Sequence, residues 1–317
     1  MPDLSVGGQA VIEGVMMRST DRVSTAVRRA DGTIEIRNED FIPISKRKKI
    51  LGLPIIRGAI SFIEMLVIGI RSLNFSAEVA SIDIDKEEGK ETDGETPSKS
   101  TSLMLGVTVV IALVLAIGIF FFLPLWFSSL LNVNKDALAF NLVAGGIRVA
   151  MFLLYVWGIS FFGEFKRVFQ YHGAEHKTIN AYEDGVDLTP ENAKKYSTRH
   201  PRCGTSFILI VAIFAMLVYS ISDTIYAIWT GVPPTLPIRF LIHFSLLPFV
   251  AGGSYELLKL SGKTRENRIT RFFIAPGIWL QAITTREPSL RQLEVAIASL
   301  NNALRVEAEQ DEYSVSG

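Results

Sequence analysis

The sequence predicts a mainly α-helical membrane protein with four transmembrane helices, one further apolar helix and a small N-terminal β unit. Three observations carry that expectation. Of the 317 residues, 49% are hydrophobic, and the mean hydropathy is +0.31. Several apolar runs reach the roughly 20 residues that a helix needs to cross a bilayer. The Lys and Arg residues cluster on one side of those runs, as cytoplasmic loops require. Formal net charge is zero, so bulk electrostatics implies no nucleic-acid partner. A single cysteine excludes an internal disulfide framework. The start Met1-Pro2-Asp3-Leu4 lacks a basic-then-apolar pattern, so no cleaved signal peptide is expected.

Residues 1–52 form the predicted cytoplasmic β unit. Gln9–Met17 reads as a strand, and Val23–Arg29 with Thr33–Arg37 flank Asp31-Gly32, a hairpin turn signal. Residues 53–76 follow as an apolar helix. Within Leu53–Phe75, Arg57, Glu64 and Arg71 recur every seven residues and line up within roughly 40° on a helix. Crossing the membrane there would move Lys46-Arg47-Lys48-Lys49 and the basic central loop outside, against the positive-inside rule. The segment is therefore expected to lie in the inner interface or pack against the bundle. Residues 77–100 complete this half as an acidic linker. Its Ser81–Ser100 stretch is too polar to bury and is expected to be disordered.

Residues 101–258 hold the four predicted spans, Thr101–Phe127, Ala137–Gly163, Thr205–Thr230 and Leu236–Leu258. The turns after the first and third spans carry one basic residue and none, whereas the 164–204 loop carries seven and the C-terminal tail eight. Both termini and the long loop are thus predicted to be cytoplasmic, in the cell inner (plasma) membrane. In the tail, 259–317, Phe272–Ile283 is too short to cross and is interrupted by Pro276-Gly277. Pro288–Leu304 places Leu290, Leu293, Ile297, Leu300 and Leu304 on one side of an amphipathic helix.

Chemistry concentrates in the central loop. The chain has four histidines, and three of them fall with Cys203 in one short stretch. A helix over Glu164–Tyr182 would put His172 and His176 one turn apart on one face, the spacing that a divalent ion such as zinc needs. Glu175 would project beside them as a general base, and His-x-x-Glu-His matches the inverted zincin motif. The bland alternative is a solvated helix whose histidines pair near headgroups. Three residues offer a third ligand. His200 and Cys203 lie in His200-Pro201-Arg202-Cys203-Gly204, just before the third span. Glu256 sits at the cytoplasmic end of the fourth. Against them stand a turn shaped by Pro201 and Gly204, a Cys203 packed as a small apolar residue, and a Glu256 paired with Lys259 or Arg265.

A second polar set lies within the spans. Arg148, Asp223 and His243 fall about 16, 10 and 10 Å from the predicted outer ends, and Arg148 could pair with Asp223. Intramembrane charges are costly and often functional, although a pair that locks the bundle needs no transport role. The N-terminal Gly7-Gly8-Gln9-Ala10-Val11-Ile12-Glu13-Gly14-Val15-Met16-Met17-Arg18 lacks a phosphate-loop lysine, so no nucleotide site is expected. Glu13 and Arg18 are candidates to line a pocket or to form a structural pair.

That dodecapeptide, read with Pro54-Ile55-Ile56-Arg57-Gly58, Glu175-His176-Lys177, His200-Pro201-Arg202-Cys203-Gly204-Thr205, Trp279-Leu280-Gln281 and Thr284-Thr285-Arg286-Glu287-Pro288, resembles the YqhQ-like family. These are bacterial multi-pass membrane proteins with a domain of unknown function, catalogued as predicted metal-dependent enzymes. The resemblance runs from about residue 5 to 300 and implies a divalent-metal-dependent enzyme. A hydrolase at the cytoplasmic interface, acting on a lipid-linked or membrane-protein substrate, is the function expected. The contrasting class is a non-enzymatic scaffold, assembly factor or small transporter.

Overall fold

A computed structural model describes residues 6–46, 48–87, 99–131, 137–201, 203–263 and 267–305. Strands β1 (Gly7–Val11), β2 (Gly14–Arg18), β3 (Arg22–Arg28) and β4 (Ile34–Asp40) form an antiparallel meander in the order β1-β2-β3-β4. The single strand expected over Gln9–Met17 is two strands. The chain reverses at Ile12-Glu13, with Val11 paired to Gly14. Glu13 takes the turn's left-handed conformation (φ 51°), which a sequence reading assigns to Gly or Asn. Gly14 suits its place, because a Cβ there would lie 2.2 Å from the Ala26 carbonyl oxygen. The hairpin about Asp31-Gly32 forms as expected, with Gly32 at φ 91°.

Both faces of this sheet are covered, because successive side chains point to opposite sides. Val15, Met17 and Ala26 enter a core with Tyr171 and Ala174 of α5 (Gly163–Glu183) and Leu293, Ile297 and Leu300 of α11 (Leu290–Leu304). Met16, Val23 and Val27 face α1 (Ile56–Glu87) through Ile68, Phe75 and Val79. The amphipathic C-terminal helix is thus the lid of the N-terminal sheet. It starts at Ser289 in a capping box with Gln292.

Helix α1 continues to Glu87, past the boundary expected at 76. Residues 88–98, the centre of the expected linker, lie outside the described residues. The charged stripe of α1 finds polar partners within the protein. Arg57 pairs with Glu256 at 2.7 and 2.5 Å, Glu64 accepts the Ile44 N–H at 2.6 Å, and Arg71 lies 3.8 Å from Glu39.

Among the described residues, three helical stretches are long and apolar enough to cross a membrane: Val110–Leu130, Ala137–Ile159 and Ile210–Thr230. The first comprises α2 (Lys99–Ile117), a π-helical turn over Gly118–Phe122, and α3 (Leu123–Leu130). The second is α4 (Ala137–Ile159), and the third belongs to α7 (Gly204–Thr230). The fourth expected span is broken. Here α8 (Leu236–Ser245) and α9 (Leu247–Lys263) meet at a 50° bend, so the pair counts as one span only if both arms share it. Of the remaining helices, α5 follows α4 after a three-residue break, α6 (Pro190–Lys194) lies between α5 and α7 in the chain, and α10 (Arg268–Thr284) precedes α11. Pro276 is accommodated inside α10.

The polar residues of the apolar helices are arranged differently from the expected pairing. Arg148 does not reach Asp223. Its Nε donates to the Phe120 carbonyl at 2.9 Å, and its guanidinium lies over the Phe121 ring at 5.2 Å. A π turn disturbs the regular ladder of backbone bonds, and Arg148 supplies a donor there. Asp223 instead takes Arg239 at 3.2 Å, His243 Nε2 at 3.0 Å and Asn141 Nδ2 at 3.0 Å. Asp223 and His243 are fully buried, and Arg239 is 1% exposed. Arg239 was not among the expected residues. It also lies 3.5 Å over the Phe140 ring, while His243 stacks on Tyr219 at 4.0 Å.

Candidate metal centre

Helix α5 presents His172 and His176 on one face, their ring centroids 4.4 Å apart. The segment ahead of α7 brings Cys203 to them. One ligand atom from each of His172, His176 and Cys203 lies within 4.8 Å of the other two. His172 Nε2 is 3.2 Å from Cys203 Sγ. A tetrahedral ion bonded at 2.0–2.3 Å sets its ligand atoms roughly 3.3–3.8 Å apart, so small side-chain rotations would close the set.

The backbone fixes which nitrogens face the centre. His172 Nδ1 lies 2.8 Å from the Thr284 carbonyl and His176 Nδ1 lies 2.6 Å from the Thr198 carbonyl. A carbonyl only accepts, so both Nδ1 atoms carry the proton and both Nε2 atoms carry a lone pair. This is the arrangement of metal-binding histidines, whose second nitrogen is oriented by a carbonyl or carboxylate. The two lone pairs face a region whose thiol has one proton to give. His176 is 1% exposed and its Nε2 has no hydrogen-bond partner. Burial also holds the His176 pKa down, keeping the imidazole neutral.

Residues of α10 and the following loop build the supporting layer. Gln281 clamps the turn before Cys203 at two points, accepting the His200 N–H and donating to its carbonyl, both at 2.8 Å. Arg286 N–H donates to the Phe169 carbonyl at 2.9 Å. The Arg286 carbonyl then lies against Gly173, where a Cβ would sit 2.0 Å away. That approach accounts for a glycine in mid-helix, which otherwise costs about 1 kcal/mol. Buried Lys177 donates to the Lys194 and Tyr196 carbonyls at 2.8 and 2.7 Å and meets Glu287 at 3.0 Å. Together these contacts hold α5, the 194–203 segment and the α10 loop around the histidines.

The other candidates take different places. His200 approaches His176, with ring centroids 5.8 Å apart, but its Nε2 faces Glu183 at 3.4 Å. Glu256 is held by Arg57 and does not join the three. Glu175 is 5% exposed, with Oε2 lacking a hydrogen-bond partner. Burial raises its pKa, opposed by His172, His200 and the Gly8 N–H. Its carboxylate therefore lies in the same electrostatic neighbourhood without being one of the clustered ligand atoms. Glu13 forms a bidentate pair with Arg167 and accepts from Tyr171 at 3.4 Å. Arg18, roughly 16 Å along the strand, packs on the Phe41 ring at 4.2 Å and approaches Met65 Sδ at 2.7 Å. The two are not paired with each other but held by different partners.

The family described as "Protein of unknown function (DUF1385)" matches residues 53–306. The chain belongs to the DUF1385 family. It is also 36% identical over 313 residues to the uncharacterized protein YqhQ of Bacillus subtilis (strain 168), covering 95% of this chain and 93% of that one. No solved structure matches it. The DUF1385 match includes all three clustered residues and their supporting layer. It begins after the β-sheet. Gln281, Thr284 and Thr198 were not expected as site residues. Gln281 carries a readable signal, an amide in an apolar helix, whereas Thr284 and Thr198 act through carbonyls that any residue possesses.

Proposed function

We propose that this DUF1385 protein is an integral membrane protein with a divalent-metal centre at its cytoplasmic face, and that it is a metal-dependent hydrolase. The observation that carries the reading is the pair of Nδ1–H donors bound to backbone carbonyls. It leaves two Nε2 lone pairs directed toward one thiol. His172, His176 and the Cys203 thiolate would hold the ion, and a mixed nitrogen and sulfur set favours zinc. Such an ion, when bound, acts as a Lewis acid that activates water at neutral pH.

The remaining work falls to residues of the chain. Thr284 and Thr198 fix the histidine tautomers, and Gln281 holds the cysteine turn. Glu175, desolvated so that its pKa is raised and with Oε2 lacking a hydrogen-bond partner, is the residue suited to the general-base role. His172, His176 and Cys203 would supply three protein ligands, which would leave the ion able to take water or substrate, and His172 is the half-buried member of the set.

The membrane part of the proposal rests on the three apolar helices and the bent pair. The basic 164–204 and C-terminal segments support an orientation with both termini inside. Cys203 precedes the apolar stretch of α7 by seven residues, or about 10 Å. Exposed Trp157, Phe161, Phe162 and Trp279 supply aromatic side chains suited to the inner interface. A centre at that depth suits a substrate carried by the membrane, either lipid-linked or part of a membrane protein.

Elemental analysis of the purified full-length protein tests the metal assignment. One ion per chain is expected, falling to near zero in a His172→Ala/His176→Ala variant. Equal metal content in the two proteins would refute the site.

A further inference from the structure

Residues 41–46 and 48–55 form a strap that doubles back along the first turns of α1. It contains two short 3-10 turns, Ile44–Lys46 and Lys49–Gly52. Its upper end is tied down where Glu64 accepts the Ile44 N–H at 2.6 Å. Its lower end meets the apolar helices, since a Cβ on Gly252 of α9 would lie 2.2 Å from the Ile55 carbonyl oxygen. A Cβ on Gly58 would lie 2.6 Å from the Gly252 carbonyl oxygen, and Phe62 meets Phe207 of α7 with ring centroids 6.2 Å apart. The strap and the start of α1 therefore sit beside α9 at Gly252 and beside the Cys203 end of α7 at Phe207.

The composition of the strap's outer surface is unusual. Ile50 is 69% exposed and Ile44 and Leu53 are also exposed, interleaved with exposed Lys46, Lys48 and Lys49. Among the described residues, no carboxylate pairs with these three lysines. Nearby acidic groups are engaged elsewhere, Glu64 with the Ile44 backbone and Glu256 with Arg57. The apolar surface continues onto α1, where Ile63, Leu66 and Ile70 form an exposed stripe at helical spacing. Water is a poor partner for that stripe, and a bilayer whose charge opposes the lysines is a good one. Glu64 and Ile56 are eight residues apart, which allows the strap to reach about 12 Å along α1, less than one leaflet. Lysine stems are long enough to lie along the apolar surface and return the ammonium to headgroup level.

We propose that the 42–53 strap is a binding site for anionic phospholipid on the inner leaflet, with Lys46, Lys48 and Lys49 taking the headgroup phosphates and the isoleucines seated at the acyl boundary. The proposal rests on the membrane reading above and is independent of the metal. Each lysine at an anionic surface strengthens association roughly five-fold. The occupant is the membrane itself rather than a soluble anion, because the apolar side chains between the lysines would gain nothing from a free phosphate.

The test uses the full-length protein in mild detergent, titrated with phosphatidylglycerol or phosphatidylcholine and read by native mass spectrometry. Resistance of each variant to alkaline carbonate extraction from membranes is measured beside it. The wild type is expected to bind phosphatidylglycerol preferentially. A Lys46→Gln/Lys48→Gln/Lys49→Gln variant should lose at least about ten-fold in that affinity, with phosphatidylcholine binding and extraction resistance unchanged. The corresponding triple Lys→Arg variant should retain the preference. Unaltered phosphatidylglycerol affinity in the Gln variant, or its loss in the Arg variant, would overturn the site. Release of the wild type by carbonate would overturn the membrane reading, and the lipid site with it.

Discussion

Asp223→Ala is expected to destabilise the apolar helical bundle by about 3–5 kcal/mol. Asp223 accepts from Asn141 and lies within ion-pair distance of Arg239 and His243. Removing it deprives the Arg239 charge, 1% exposed, of the carboxylate that it pairs with at 3.2 Å. An uncompensated buried charge costs far more than the net worth of the pair that it belonged to. The loss should appear as a lower unfolding midpoint in detergent, followed by denaturant titration. A compensating Asp223→Leu/Arg239→Leu variant removes both charges and should recover most of the lost stability. A single variant as stable as the wild type would show that Arg239 finds another partner. The network ties α4, α7 and α8 together, next to the bend at Leu246.

The second large effect concerns metal removal. An ion that binds only the folded chain stabilises it by mass action, by about 4 kcal/mol when free metal is 1,000 times its Kd. Chelation of the purified protein should lower its thermal midpoint accordingly, and metal addition should restore it. The His172→Ala/His176→Ala variant should show neither response. Because α5, the 194–203 segment and the α10 loop meet around these residues, exchange protection should fall in all three elements together. A chelator effect equal in the variant would locate the metal elsewhere.

Much of the architecture follows from patterns that are visible in the chain. Apolar runs identify the α2–α3, α4 and α7 stretches, and the leucine spacing in 290–304 identifies α11. The expected single strand at Gln9–Met17 failed because Ile12-Glu13 carries none of the usual turn residues, yet the chain reverses there. The bend between α8 and α9 falls at Leu246, inside a continuous apolar run where hydropathy has no contrast. The pairing among the polar residues of the apolar helices is a matter of geometry. Arg239 sits close to the start of α8 and reads as an interfacial arginine, whereas Arg148 is drawn to carbonyls of the π turn.

The candidate centre was partly legible for a similar reason. The i, i+4 histidines and Cys203 are scarce residue types whose spacing carries chemical meaning, and the fold brings them together. The choice among Cys203, His200 and Glu256 required knowing that Glu183 and Arg57 sit beside the latter two. The carbonyls of Thr284 and Thr198 leave no mark in a sequence, although they set both tautomers. Gly173 is readable only as a helix defect until the Arg286 carbonyl is seen against it.

X-ray absorption at the zinc edge on the purified, zinc-loaded protein tests the central claim most directly. A first shell with one sulfur at about 2.3 Å and nitrogen or oxygen neighbours at about 2.0–2.1 Å is expected, the sulfur disappearing in Cys203→Ser. A shell without sulfur in the wild type, or one unchanged by that substitution, would contradict a centre built from His172, His176 and Cys203.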